Sequence, residues 1–284
     1  MFVRVRANFR LLLLALVTLP CYLGVLLGSL LLAPWPEWRV RWRGGGFRLW
    51  SRLVCAALAI RVRREGPAPR PPFLLVSNHL SYVDIVVLGT QLPCIFVAKA
   101  EIDGWPVFGA LCRAVETIFI DRKARRALHT VLDKIERGLA AGQAIVIFPE
   151  GTSGAGDRVL PFRSPLLELP VKLERPVHWA ALGYSVPPGG APAHLAVTWW
   201  GDMPLGPHLK ELLRLGRVEA TVTFGASPVV ATDRKELADR LHREVSAAFR
   251  PLVATDEVER LLALKATDPA ALPYVLRGTH QGEL

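Results

Sequence analysis

The chain opens with a long apolar segment that is set apart from the rest of the sequence. Residues 11–33 contain no charged side chain. A helix of that length is about 35 Å long, which is enough to cross the hydrocarbon core of a bilayer. Trp35 and Trp38 follow it, where aromatic side chains are typical of a membrane–water interface. The pattern predicts a membrane helix. A cleaved signal peptide is disfavoured because no small-residue cleavage site follows.

A second, shorter apolar segment lies at residues 47–60. Arg48 and Arg52 are four residues apart and therefore share one face of a helix, which is typical of an amphipathic helix at an interface. Two arrangements fit both segments: a single spanning helix, or a hairpin that enters one leaflet and turns near residues 44–46. The Pro-rich residues 64–72 indicate a linker to the rest of the chain.

Beyond residue 72, short apolar runs alternate with helical patterns. The strand candidates are residues 73–77, 94–98, 117–121, 144–148, 177–183, 195–199 and 219–224. Apolar positions spaced three and four apart predict helices over 122–141 and 237–249, and Gly142 suits the end of the first. Strands separated by helices predict an α/β fold with a single mixed sheet flanked by helices.

The charge of the chain points to an anionic partner. Its 35 Lys and Arg residues exceed its 25 Asp and Glu residues, which gives a net charge of +10. Many arginines flank the first apolar segment, and this favours membrane lipids as partners. No zinc-finger spacing or aromatic RNA-binding motif is present, so no nucleic-acid partner is expected. The larger number of arginines after the segment predicts a body on the cytoplasmic face of the inner membrane.

Three polar residues, Asn78, His79 and Asp84, lie between two apolar runs at the end of a strand candidate. A neutral imidazole accepts a proton from an alcohol near neutral pH, and a carboxylate on its other nitrogen fixes its tautomer. His79 is therefore a candidate general base, oriented by Asp84, while Asn78 is placed to fix the turn. Alone the pair is weak evidence, because this spacing is frequent by chance and a lone histidine is more often structural. No nearby His or Cys completes a metal site, so no metal is expected.

A glycine-rich loop at residues 147–163 follows another strand candidate, where α/β sheets place ligands. Its glycines let the backbone approach a ligand closely, although an ordinary surface loop has the same composition. Ala155 stands where a serine-hydrolase elbow has its last glycine, and no lysine of a phosphate-binding P-loop is present. A lipase, an esterase or an NTPase is therefore not supported.

Residues 116–126 lead from a strand candidate into a helix and carry several basic side chains. A solvated helix face accounts for Lys123, Arg125 and Arg126. Arg122, at the junction, is the better candidate for binding a phosphate or a carboxylate in fork geometry.

Taken together, these stretches resemble the glycerolipid acyltransferase family, whose members acylate lysophosphatidic acid and related lysolipids. NHLSYVD (78–84) is similar to the family's N-H-x4-D block, and ETIFIDR (116–122) to its G-x-x-F-I-x-R block. FPEGTS (148–153) is similar to its F-P-E-G-T-R block, and RPVHWAALGY (175–184) to its later strand block. Four blocks in the family's order, covering roughly residues 65–230, are strong evidence where each alone is not.

The resemblance implies an acyltransferase domain at residues 65–250, after a membrane anchor at 1–64 and before a helical tail at 251–284. It implies a donor that is acyl-CoA or acyl-carrier protein, a lysolipid acceptor, no cofactor and no covalent acyl-enzyme. His79 would deprotonate the acceptor hydroxyl, and Asp84 would orient His79. The substrate-binding roles would fall on Asn78, Arg122, Glu150, Gly151 and Thr152.

Two positions depart from the family's pattern. Glu116 stands where the family usually has glycine, and Ser153 stands where many members have arginine. Loss of that arginine weakens the case for a phosphate head group. Residues 151–164 and 198–208 are more similar to the branch that acylates lyso-ornithine lipid, whose head group is an amino acid. The expected acceptor is a lysolipid such as 1-acyl-glycerol-3-phosphate, with lyso-ornithine lipid as the alternative.

A further alternative belongs to another class: a membrane-anchored lipid-binding protein without chemistry. It accounts for the anchor and the charge of the chain. It gives no reason for the His79–Asp84 pair.

Overall fold

The structure is a computed structural model that describes residues 2–121, 125–268 and 271–276. Its centre is a sheet built from the strands β1 (Ile60–Glu65), β2 (Phe73–Ser77), β3 (Cys94–Lys99), β4 (Ile118–Ile120), β5 (Ala144–Ile147), β6 (Val177–Ser185) and β7 (Val218–Phe224). Their order in space is β1-β7-β6-β2-β5-β3-β4. The strands from β6 to β4 run parallel, while β7 and β1 run in the opposite direction. The single mixed sheet agrees with the sequence-based prediction.

Helices lie on both sides of this sheet. They are α1 (Phe2–Leu31), α2 (Pro36–Ala57), α3 (Val83–Gln91), α4 (Pro106–Ala114), α5 (Arg125–Ala140), α6 (Glu168–Lys172), α7 (Ala193–Ala196), α8 (Leu205–Arg214), α9 (Arg234–Ala248) and α10 (Thr255–Thr267). Short 3₁₀ segments lie at Ala100–Gly104, Pro165–Leu167 and Tyr274–Leu276.

The central strands are buried on both faces, as continuous apolar runs predict for a parallel sheet. All residues of β2 and β5 are buried. Leu75 of β2 belongs to the core on the side of α2, α3 and α8, whereas Leu74 and Val76 belong to the core on the side of α5 and α9. Because β2 and β5 are neighbouring parallel strands, the loops that follow them leave the same edge of the sheet next to each other.

The two outer strands β1 and β7 complete one edge. In β7, residues alternate between buried apolar and half-buried polar side chains. β1 is a strand that the sequence analysis missed, because its arginines at alternate positions look like part of an anchor and a linker. Charged residues are tolerated there because β1 is an edge strand. Residues 60–64, the last residues of the predicted anchor, thus belong to the sheet. The division into domains stays a prediction.

α1 and α2 form a helical hairpin whose turn is at residues 32–35. The expected turn near residues 44–46 is wrong, because these glycines lie inside α2. Two of them serve close packing instead: a Cβ on Gly46 would lie 2.5 Å from Val25, and one on Gly44 would lie 3.0 Å from Pro93. Within the described residues, one helix, Val3–Leu31, is long and apolar enough to cross a membrane.

The predicted strand at residues 195–199 is also wrong. The short helix α7 ends at Ala196, and an irregular segment follows. Its side chains bind back to α7: the Thr198 hydroxyl donates to the carbonyl of His194 (2.9 Å), and so does the indole N–H of Trp200 (2.7 Å). Trp199 and Trp200 pack in a local cluster with α10, whereas Val197 packs in the core on the α2 and α3 side of the sheet.

The predicted helices over 122–141 and 237–249 correspond to α5 and α9. Val131, Ile135 and Leu139 of α5 are buried. Gly142 follows with φ of +82°, which is the left-handed conformation that ends many helices.

Candidate active site

The candidate site begins in the turn between β2 and α3, at the carboxyl edge of the sheet. Asn78 follows β2 directly and is fully buried. Its side-chain amide donates to the carbonyl of Leu182 (3.0 Å) and accepts from the Leu182 N–H (2.7 Å). The side chain thus extends the pairing of β2 with β6 and fixes where the turn starts. Its substrate-binding role stays a prediction.

His79 and Asp84 are in direct hydrogen-bond contact. The Nδ1 atom of His79 lies 2.7 Å from Oδ2 of Asp84. The same oxygen accepts from the backbone N–H groups of Leu80 (2.7 Å) and Ser81 (3.0 Å), because Asp84 lies in the first turn of α3. An ionised carboxylate only accepts, so Nδ1 of a neutral His79 carries the proton and Nε2 is left as the basic nitrogen. This tautomer follows from the hydrogen-bond network.

The imidazole is held from one side by an aromatic stack. His79 lies on Phe148 with ring centroids 4.2 Å apart and an interplanar angle of 16°. Phe148 in turn stacks on Phe96, at 5.9 Å. The side chain of His79 is 23% exposed, whereas Asp84 is fully buried. The ring is therefore fixed in orientation and still reachable from outside.

Glu150 connects the glycine-rich loop to the turn that carries the histidine. Its Oε1 accepts from the backbone N–H of His79 (2.9 Å), and the backbone N–H of Gly154 donates to the carbonyl of His79 (2.9 Å). Burial raises the pKa of Glu150 to about 8, although hydrogen bonds from the backbone of His79 and Leu160 oppose the shift. A carboxyl group with this pKa is largely protonated at neutral pH.

Comparisons with known proteins show the family of the chain. A family model described as Acyltransferase matches residues 59–182. The lyso-ornithine lipid O-acyltransferase of Rhizobium meliloti (strain 1021) is 34% identical over 218 residues, which are 73% of this chain and 74% of the relative. The chain belongs to the acyltransferase family.

Other members of the family give the same result. The 1-acyl-sn-glycerol-3-phosphate acyltransferase of Neisseria meningitidis serogroup B is 31% identical, over 72% of this chain and 80% of the relative. The crystal structure of the 1-acyl-sn-glycerophosphate acyltransferase of Thermotoga maritima matches with a TM-score of 0.65. That match covers 90% of this chain and 98% of the other at 20% identity, so it shows the fold. The enzyme is thus an acyltransferase of the lysolipid type.

The remaining predicted site residues fall in different places. Gly151 is buried with φ of +77°, a conformation that favours glycine, and Thr152 is exposed beside it. Arg122 lies outside the described residues. The substrate-binding roles of all three stay predictions.

Ser153, at the position where many members have arginine, is engaged in a structural contact. Its hydroxyl donates to the carbonyl of Trp199. The N–H of Trp199 donates to the carbonyl of Leu80 (2.8 Å). The segment after α7 therefore connects the glycine-rich loop to the histidine turn, a link that the strand prediction for residues 195–199 could not give.

Glu116, where the family usually has glycine, adopts φ of +61°. This left-handed conformation is unstrained for glycine and strained for other side chains, which fits the glycine that the resemblance leads us to expect here. In this enzyme the carboxylate is used: it forms an ion pair with Arg43 of α2 and accepts from the Gln143 side chain (3.2 Å). This ion pair ties the connection between α4 and β4 to the hairpin.

One residue in contact with the pair was missed by the sequence analysis. Tyr184, in β6, donates its hydroxyl to Oδ1 of Asp84 at 2.6 Å. It is spaced by two residues from buried Leu182 and by four from buried Ala180, so the three share one face of the strand and an inward side chain is predictable. Nothing local in the sequence indicates its partner.

Proposed function

We propose that this enzyme moves a fatty acyl group from an acyl thioester, carried by CoA or acyl-carrier protein, to the free hydroxyl of a lysolipid. The observation that carries the proposal is the 2.7 Å contact between His79 Nδ1 and Asp84 Oδ2. It leaves Nε2 as the base on a ring that is accessible from outside. No hydrogen bond within the described part of the chain engages Nε2. The reaction needs no metal and no resident cofactor.

In the proposed steps, Nε2 of His79 acts first as a base and then as an acid. Nε2 of His79 takes the proton of the acceptor hydroxyl while its oxygen attacks the thioester carbonyl carbon. Asp84 stabilises the imidazolium that forms. The tetrahedral intermediate then breaks its C–S bond, and the leaving thiolate takes the proton from Nε2. The products are an ester and a free thiol, and no acyl group is attached to the protein.

The proposal predicts that His79→Ala lowers kcat at least about 100-fold, because general-base catalysis typically contributes a factor of that size or more. Acyl transfer from a radiolabelled thioester to a lysolipid measures this. The matched control is His129→Ala, an exposed histidine of α5 outside the site. Both variants should remain folded and membrane-bound. Turnover of His79→Ala within a few-fold of the parent enzyme would refute the mechanism.

For the acceptor, we propose lyso-ornithine lipid over 1-acyl-glycerol-3-phosphate. Ser153 carries no positive charge that could bind a phosphate, and its hydroxyl already donates to the carbonyl of Trp199. The relative from Rhizobium meliloti is named for the same acceptor. A panel that pairs both acceptors with both donor types tests this. A kcat/KM at least tenfold higher for lyso-ornithine lipid is expected, and the reverse preference would assign the phosphate acceptor.

We further propose that the enzyme sits on the cytoplasmic face of the inner membrane through α1, α2 and α4. One side of α1 exposes apolar side chains along its length, and Trp35, Trp38 and Trp42 are exposed near the turn of the hairpin. α4 contacts α1 and exposes Val107 (64%) and Phe108 (39%). Such an extended apolar surface is typical of an interaction site. Since α4 follows β3, it lies at the edge of the sheet that carries His79.

A further inference from the structure

Tyr184 provides the fourth hydrogen bond to the Asp84 carboxylate. Oδ2 of Asp84 faces three N–H groups, those of the His79 ring, Leu80 and Ser81. Oδ1 faces the Tyr184 hydroxyl at 2.6 Å. The carboxylate is fully buried, and the tyrosine is 6% exposed.

The direction of this hydrogen bond follows from the chemistry of the two groups. A carboxylate is an acceptor, so the phenol donates. Burial raises the pKa of the Tyr184 phenol well above its ordinary value, and the nearby charge of Asp84 raises it further. The phenol therefore keeps its proton over any pH at which the enzyme is assayed.

β6 holds both ends of the histidine turn. Leu182 binds the side chain of Asn78 through its backbone, and Tyr184, two residues later, binds Asp84 through its side chain. Both contacts are buried. The position of Asp84 relative to His79 is thus set from the neighbouring strand as well as from within the turn.

We propose that Tyr184 is a positioning residue for acyl transfer, whose hydroxyl keeps the Asp84 carboxylate aligned with Nδ1 of His79. The proposal rests on the general-base function proposed above. Without the phenol, Oδ1 is left in a buried site with no donor among the described residues, which is costly. The carboxylate then gains by rotating towards other donors, and Oδ2 loses its alignment with Nδ1.

The test is Tyr184→Phe, which removes one hydroxyl and keeps the ring. We expect kcat to fall about tenfold, as for loss of one hydrogen bond to a charged group, with the KM for the acceptor within a factor of two. Tyr82→Phe is the matched control: it deletes a partly buried hydroxyl that contacts His208 at 3.0 Å and not Asp84. Its kcat should stay within a factor of two of the parent enzyme.

A double-mutant cycle separates positioning from a merely structural role. In an Asp84→Asn background, adding Tyr184→Phe should change kcat less than twofold, because Tyr184 acts through the carboxylate. Equal losses in both backgrounds would overturn the proposal, and so would an unchanged kcat in the single variant. If Tyr184→Phe does not fold, a fluorotyrosine at 184, which keeps the ring and is a stronger donor, should change kcat at least twofold in the parent enzyme and not in the Asp84→Asn background. An unchanged kcat there would also overturn it.

The same experiments distinguish this proposal from the one on which it rests. If His79→Ala keeps its turnover, the general-base function fails whatever Tyr184 does. If His79→Ala is inactive while Tyr184→Phe matches the parent enzyme in kcat, only the role of Tyr184 fails.

Discussion

Glu150 shows how a single residue can hold the site together without carrying a charge. It is 4% exposed, and its pKa of about 8 is far above the ordinary 4.5, mainly because of burial. Between these two values the folded enzyme keeps a proton that the unfolded chain has released. Unfolding therefore releases a proton in this window, and stability falls as the pH rises from about 4.5 to about 8. The neutral acid still accepts from the His79 N–H.

Replacing this acid by its neutral isostere should remove that pH dependence. Glu150→Gln keeps an acceptor for the His79 N–H but cannot ionise. Between pH 6 and pH 9 we expect the parent enzyme to lose roughly 3 kcal/mol of stability relative to the variant. Denaturant unfolding in one detergent at both pH values measures the difference. Parallel stability curves for the two proteins would show that Glu150 does not titrate in this window.

The residues that the sequence predicts well are those whose partner is close in the chain. The His79–Asp84 contact forms within one turn and the start of one helix, so spacing alone brings the two together. Tyr184 is 100 residues from Asp84. Their contact depends on β6 lying beside β2 in one register, which no local pattern specifies. The left-handed conformation of Glu116 was hidden because the residue itself is not glycine.

At the scale of elements, the errors come from short apolar runs whose surroundings decide their structure. Residues 195–199 have the apolar and β-branched composition of a strand, yet side-chain hydrogen bonds from Thr198 and Trp200 stabilise a compact turn. Edge strand β1 was missed for the opposite reason: it is rich in arginine, so its sequence does not look like an apolar strand. The central strands were predictable because burial on both faces leaves a continuous apolar run in the sequence. The long helix α5 was predictable because its wide apolar stripe repeats with the helical period.

The packing of α3, the helix that carries Asp84, against α2 gives an element-scale prediction. A Cβ on Gly89 would lie 2.2 Å from the Ser51 hydroxyl and 2.6 Å from the Phe47 ring. Both side chains are buried, so Gly89→Ala must push the helices apart. We expect a loss of about 1–3 kcal/mol in unfolding free energy, measured by denaturant unfolding in detergent.

Gly24→Ala is the matched control, because a Cβ at that helical glycine meets nothing within 4 Å. It gains the same helix propensity and should be neutral or stabilising by up to about 1 kcal/mol. Equal stability of the two alanine variants would mean that the α2–α3 contact tolerates the extra methyl group.

At the scale of the whole molecule, the hairpin begins and ends at the body of the enzyme. Arg10 is 6% exposed and donates to the carbonyls of Leu213 (3.3 Å), Leu215 (2.5 Å) and Gly216 (3.0 Å) at the end of α8. Arg6 donates to the carbonyl of Arg214. Cations suit the carbonyl end of a helix, so these contacts stabilise the docking of the start of α1. α2 returns to the body from Arg43, which pairs with Glu116, and its first buried residue is Phe47.

These contacts limit how deep the hairpin reaches. Only residues 36–46 of α2 lie between the turn and Phe47. Eleven helical residues span about 16 Å, roughly half of the hydrocarbon core. This arm also carries Arg39 and Arg41, which are costly to bury in lipid, while Arg43 already pairs with Glu116 of the body. A single span by α1 would separate Arg6 and Arg10 from α8. The geometry therefore favours a hairpin that enters one leaflet and leaves both of its ends on the side of the body.

Cysteine labelling in sealed vesicles tests this arrangement. With the four native cysteines replaced, single cysteines at Val3, at Pro34 in the turn and at the exposed Glu136 of α5 are treated with a membrane-impermeant maleimide from either side. We expect positions 3 and 136 to react from the same side, since Arg6 and Arg10 hold the start of α1 against the body. Position 34 should not react from the opposite side, because the short α2 arm cannot carry the turn across the bilayer. Labelling of position 3 from the side opposite to 136 would establish a single span, and labelling of position 34 from that side would establish a hairpin that crosses completely.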